Sequence, residues 1–177
     1  MHLLIFLGNP GKKYQKNRHN IGFIAGSYLA EKHSISYNQK KFNALTGKGK
    51  IDGNDVALLF PQTYMNNSGE SVSKALAFYQ ENIENCIVIH DEIELPFGDI
   101  RVKTGGGHKG HNGLRSIIQH CSSPDFHRIR FGVGRPDNPN IEVADHVLSN
   151  FTNDEMNDMS SHINKIETFI IDILNKS

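Results

Sequence analysis

Apolar residues along this chain switch repeatedly between unbroken or period-two runs and a spacing near 3.6, which predicts strands and helices in alternation. The run Leu3 to Leu7 reads as a first strand stopped by Gly8-Asn9-Pro10-Gly11. After a basic loop, Asn20 stands where it can cap a helix carrying Ile21, Ile24, Ala25, Tyr28 and Leu29. Two strand patterns, 42–51 and 55–60, flank Asp52-Gly53-Asn54, residues that tolerate positive φ, and predict a hairpin. A polar loop from Pro61 to Gly69 leads into a helix with Val72, Ala75, Leu76 and Tyr79 on one face.

Ile87-Val88-Ile89 predicts a central strand that ends at His90-Asp91-Glu92. A shorter strand, 99–104, meets Gly105-Gly106-Gly107 and Gly110, which open a helix with Leu114, Ile117, Ile118 and Cys121. Residues 127–134 alternate Ile129, Phe131 and Val133 against Arg128 and Arg130, predicting a half-buried strand with its arginines in water. A short helical piece covers about 142–149. Thr152-Asn153-Asp154-Glu155 then carries a capping-box signature, followed by a stripe from Met156 to Ile173 that predicts core packing. No linker or repeat divides the pattern. The expectation is one α/β domain over residues 1–177, with a mixed, mostly parallel central sheet flanked by helices on both faces.

Composition narrows the class. With 177 residues, 37% of them hydrophobic, the chain can bury a sizeable core, and no run is long enough to span a membrane. The first residues lack a basic segment and a small-residue cleavage site, so they read as a strand rather than a signal peptide. Cys86 and Cys121 fit no metal spacing and read as reduced core residues of a cytoplasmic protein. The net charge of zero hides four blocks. Residues 1–50 hold nine lysines and arginines against one acid, and 101–135 hold seven against one. The intervening 51–100 and the tail 136–177 are acidic. Two basic blocks form a polyanion-facing surface if folding joins them; otherwise they are solvated lysines.

The candidate chemistry sits in loops after strands. Three such loops end at Asn9, Asn66 and Asn112; the first also contributes His19, and the central strand ends in Asp91. Loops on one edge of an α/β sheet converge, which would give a cleft with an imidazole, a carboxylate and three carboxamides. That set suits hydrolysis by activated water: the imidazole takes a proton, the carboxylate fixes its tautomer, and an amide N–H steadies the oxyanion. Singly, each asparagine reads equally as a turn or cap residue. A nucleophilic serine or cysteine lacks its motif. His108-x-x-His111 in a glycine loop is a weak metal signal, and no metal is expected. Gly105-x-Gly107-x-x-Gly110 matches a dinucleotide fingerprint formally, but Asp125, at the right distance, does not end a second strand.

Several of these stretches together carry a resemblance. Gly8-Asn9-Pro10-Gly11 with Tyr14 and Arg18-His19-Asn20-Ile21-Gly22, Thr63 to Gly69, His90 to Pro96, Gly105 to Leu114, and Phe126 to Pro136 resemble bacterial-type peptidyl-tRNA hydrolase. The resemblance implies a monomeric α/β enzyme without a cofactor that cleaves the ester between a peptide and the 3′ end of tRNA. Such an enzyme recycles tRNA from chains released prematurely by the ribosome. It implies His19 as general base, Asp91 as its orienter and Asn9 at the oxyanion. Asn66 and Asn112 would hold the peptide backbone and the water, and Tyr14, Tyr64 and Met65 would line the cleft near the terminal nucleoside. Lys103 and Arg130, helped by Lys109, would grip a tRNA phosphate, positioning the acceptor stem without reading its sequence. Asn17 and Glu94 depart from the family's usual Thr and Asp. A rival of another class is a tRNA-binding module without catalysis, and a second is a metal-dependent ester or phosphodiester hydrolase.

Overall fold

All five residues of β1 (His2–Phe6) are buried. An unbroken apolar run requires that, because a strand sends alternate side chains to opposite faces and here both faces are covered. In the computed structural model, which describes residues 1–176, Leu4 and Phe6 join one core and Leu3 and Ile5 the other. The first core is closed by α1 (Ile21–Lys32) and α6 (Met159–Lys176), the second by α2 (Ser68–Tyr79) and α3 (Asn112–Cys121). The result is three layers, helix on sheet on helix.

The sheet has seven strands. Besides β1 these are β2 (Gln39–Lys41), β3 (Ala44–Ile51), β4 (Asn54–Pro61), β5 (Cys86–Glu92), β6 (Ile100–Thr104) and β7 (His127–Gly132). Their order is β2-β3-β4-β1-β5-β7-β6. The centre is parallel, with β1 between β4 and β5, and β7 alongside β5. The margins are antiparallel. The predicted hairpin is β3–β4, turned by Asp52 at φ 51° and Gly53 at φ 77°. Two short helices, α4 (Val143–Val147) and α5 (Asn153–Asn157), precede α6. The Thr152–Glu155 capping box forms in both directions at α5, and the stripe behind it is core from Met159 to Ile173. Both cysteines are free, Cys86 buried and Cys121 partly so.

Three expectations need correction. Asn20 does not cap α1 with its side chain. Its amide instead pairs with the backbone of Asn9, accepting from the N–H and donating to the carbonyl, each at 2.9 Å. Arg128 is not on a wet face but 2% exposed, because the glycine loop folds over it. Its guanidinium donates to the carbonyls of Gly106, Gly107 and Pro124 and lies against the ring of Phe126. Finally, β6 runs antiparallel to β7, so it ends at the edge of the sheet opposite the ends of β1, β4 and β5. Asn112 therefore reaches the common edge because residues 105–111 cross back along the sheet margin, and not because its strand ends there.

Candidate active site

The C-terminal ends of β1, β4 and β5 lie side by side, as parallel pairing requires. At this edge is a cleft of about 620 Å³. Asn9, His19, Asn66, Asp91 and Asn112 all line it, and so do Tyr14, Tyr64, Met65 and Lys109. Lys103 and Arg130 do not. They stand on β6 and β7, where the pairings Lys103–Arg128 and Arg101–Arg130 put four cations on one face of the margin. Lys103 is pushed below its ordinary value by its own partial desolvation and by Lys109, Arg128 and Arg130. Arg130 lies 3.7 Å from Glu92, which faces the cleft, so the basic margin and the cleft adjoin. Five cations of the second basic block, Arg101, Lys103, Lys109, Arg128 and Arg130, are thus gathered in space. Arg18, from the first block, is instead buried, ion-paired with Glu155 and donating to Ser149 and the Asn150 carbonyl.

That anchoring positions His19. Asn17, the departure from the family pattern, donates its amide to Asn150 at 2.7 Å and supports the same tether. Glu94, the other departure, accepts from Arg135 at 2.7 Å. His19 Nδ1 lies 2.8 Å from Asp91 Oδ2. A carboxylate can only accept, so Nδ1 carries the proton of neutral His19, and Nε2 is the bare nitrogen. Burial opposes charge on His19, but the field and hydrogen bond of Asp91 outweigh it, and the imidazole sits above its ordinary value. Burial likewise opposes ionisation of Asp91, yet His19 and His111 hold it well below the usual carboxylate range.

Asn9 is fixed on both sides. Its backbone is paired with Asn20, and its Oδ1 accepts from the Met65 N–H at 2.7 Å. With the carbonyl oxygen so engaged, the amide N–H₂ is the half of the group left for a ligand. The residue before Met65 carries strain: Tyr64, at φ 62° and ψ 159°, occupies backbone space that is essentially reserved for glycine. Tyr64 is 56% exposed and meets Tyr14 edge to face, with ring centroids 6.5 Å apart. A positive φ at a tyrosine has no mark in the sequence.

Sequence reasoning also missed His111, weighed only as a weak metal ligand. It is the residue that caps α3: its Nδ1 accepts the N–H groups of Gly113 and Leu114, while its Nε2 lies 2.8 Å from Asp91 Oδ1. A polar residue directly before the helix was the available signal. His19, Asp91 and His111 are also the group among the described residues whose ligand atoms, within 4.8 Å of one another, are close enough to hold a metal ion. Both imidazoles already hydrogen-bond the Asp91 carboxylate, one to each oxygen, which gives the three groups a use without an ion. A second, more open groove of about 800 Å³ lies between α1 and α6 and shares Asn9, but it holds no comparable cluster of acid and imidazole groups.

Comparison with known proteins shows the family and the fold. The family model described as peptidyl-tRNA hydrolase matches residues 3–177. A peptidyl-tRNA hydrolase of an Exiguobacterium species is 44% identical over 174 residues, covering 98% of this chain and 94% of the relative. That of Geotalea uraniireducens is 48% identical, covering 87% of this chain and 80% of its own. Among solved structures, the crystal structure of peptidyl-tRNA hydrolase from Acinetobacter baumannii superposes with a TM-score of 0.88 at 44% identity. That match covers 95% of this chain and 85% of the other.

Proposed function

The chain belongs to the peptidyl-tRNA hydrolase family and is a hydrolase, and from that premise we propose that it cleaves the peptide–tRNA ester with a water activated by His19. The observation that carries this reading is the 2.8 Å contact between His19 Nδ1 and Asp91 Oδ2 in a cleft lined by three asparagines. His19 Nε2 takes a proton from water as its oxygen attacks the ester carbonyl carbon. The Asn9 N–H₂ donates to the oxyanion that forms. The tetrahedral intermediate collapses with breakage of the bond to the ribose oxygen, and the imidazolium returns its proton to that oxygen. The products are a peptide acid and a free tRNA 3′ end, so the reaction recycles tRNA from prematurely released chains.

Asn66 and Asn112 offer amide groups to the peptide backbone and the water. A site that expects a backbone amide is left with unpaired polar groups by free aminoacyl-tRNA, which discriminates against it. Tyr14, Tyr64 and Met65 receive the terminal nucleoside, and Lys103, Arg130 and Lys109 hold an acceptor-stem phosphate. We place the enzyme in the cytoplasm as a monomer, acting without a cofactor.

His19→Ala is expected to reduce hydrolysis of an N-blocked aminoacyl-tRNA by about 10² or more, with near-normal turnover defeating the assignment. The close ligand atoms of His19, Asp91 and His111 favour a second reading, metal-assisted hydrolysis. Full activity in a strong chelator removes it; loss restored by a divalent ion establishes it.

A further inference from the structure

Asp91 has two oxygens and two imidazole partners, and the two imidazoles are held differently. We propose that His111 is a positioning residue for the hydrolysis, fixed by the start of α3 as the Nε2–H tautomer, so that its proton goes to Asp91 and one carboxylate oxygen is left to His19. The inference rests on the reading of His19 as the base.

Gly113 N–H and Leu114 N–H point at His111 Nδ1 from 3.1 and 3.2 Å. Two backbone donors converge there, so that nitrogen presents a lone pair and the ring proton sits on Nε2. Nε2 in turn is 2.8 Å from Asp91 Oδ1. Oδ1 is therefore occupied, and Oδ2 accepts from His19 Nδ1. The direction of every hydrogen bond, from the backbone of α3 to the base, follows from the fact that a peptide N–H cannot accept. The side chain is fixed on both sides: it is 11% exposed, with the ring of His19 5.2 Å and that of His90 5.0 Å from its own. Burial, with His111 beside it, pushes His90 down to about 3, so a competing charge does not arise there. The other charged or titratable groups on the cleft are Glu92, His108, Lys109 and Arg135, with the phenols of Tyr14 and Tyr64. The Asp91 carboxylate is hydrogen-bonded by His19 through Oδ2 and by His111 through Oδ1.

A donor on Asp91 spreads part of the carboxylate's charge away from His19. Without it, the full charge would attract the His19 proton and raise the pH at which the base becomes free. His111 would then set basicity as well as orientation.

Two measurements test this. In the intact chain, ¹⁵N imidazole shifts at about pH 8, where ordinary imidazoles are neutral, should show His111 protonated on Nε2 and bare on Nδ1. A proton on Nδ1 overturns the proposal without reference to activity. The second uses two variants that separate capping from donation. His111→Asn keeps an acceptor for the helix start but is too short to reach Asp91, whereas His111→Gln extends an amide N–H to it. His111→Asn should move the acid limb of kcat/KM upward by about half to one pH unit and lower kcat about tenfold. His111→Gln should restore the limb to within about 0.3 unit of the parent, even if it melts lower. An unmoved limb in His111→Asn would reduce His111 to a helix cap. If His19→Ala remained active, the base assignment would fall while the tautomer result stood, so the two failures are distinct.

Discussion

Replacing Asp91 by asparagine tests the oxygen assignment most severely, because it changes one oxygen to an N–H₂ at constant volume. Two N–H donors, from His19 and His111, then compete for a single oxygen. His111 cannot yield, since its other nitrogen already accepts from Gly113 and Leu114. The oxygen therefore turns to His111, and the new N–H₂ faces His19 Nδ1. That nitrogen must become an acceptor, which moves the His19 proton to Nε2 and removes the lone pair that the water needs. A comparable tautomer reversal in a serine-protease triad costs about 10⁴ in kcat, so D91N should lose about 10³ to 10⁴, equivalent to about 4 to 5 kcal/mol of barrier. The assay is turnover of N-acetyl-aminoacyl-tRNA, with a melting curve to show that the variant is folded. The double variant D91N/H111Q adds a check on the logic. Its glutamine can turn an oxygen toward the new N–H₂, freeing the asparagine oxygen for His19, and should recover about tenfold or more relative to D91N. Activity of D91N within about tenfold of the parent would refute the role of Asp91. A double variant no better than D91N would refute the ordering imposed by His111.

The remaining predictions concern pH and salt. On the reading of His19 as the base, it works only when neutral, and Asp91 holds it above its ordinary 6.5. The acid limb of kcat/KM should therefore have its midpoint above 6.5, and a midpoint at or below that value would contradict the ion-pair geometry. The same shift stabilises the fold fully below the ordinary imidazole range and fades as pH rises through the raised value, which a series of urea melts would show. For the basic margin, Lys103→Ala and Arg130→Ala should each lower the salt slope of kcat/KM on peptidyl-tRNA by about one. Hydrolysis of a short N-blocked aminoacyl ester should be nearly untouched. Equal losses on both substrates would assign these side chains to the fold.

How much of this was legible in the sequence depends on whether a feature is local. The strand of Ile87 to Ile89 and the turn at Asp52-Gly53 are local, and both stand where the pattern put them. His19 and Asp91 are not neighbours in sequence, but each follows or ends a central strand, and parallel pairing of β1 with β5 does the rest. Asn112 joined them for a reason the pattern could not contain, because the direction of β6 depends on its pairing with β7. The same blindness hid Arg128. Period two correctly put Arg128 and Arg130 on one face, but whether that face is wet depends on where residues 105–111 go. Asn20 was misread because a cap and a clamp on a neighbouring loop require the same short amide.

The glycine run illustrates the difference between a motif and its use. A dinucleotide fingerprint needs its glycines so that a pyrophosphate can approach the backbone at the start of a helix. Here Gly105 and Gly106, at φ 74° and 94°, turn the chain so that the carbonyl groups of Gly106 and Gly107 lie over Arg128. The carbonyls of Gly106 and Gly107 meet its guanidinium at 2.6 Å each. A Cβ at Gly106 would stand 2.7 Å from Lys103 Cε and 2.8 Å from its Nζ, displacing the lysine. Smallness at that position thus keeps a cation in place, where the fingerprint would use it to admit an anion. Backbone carbonyls disperse the charge of Arg128 without cancelling it, so it still adds to the field of Lys103, Lys109 and Arg130. On the proposed reading, the loop would contribute to phosphate attraction through the arginine beneath it, while its far end, at His111, would contribute to the hydrolysis.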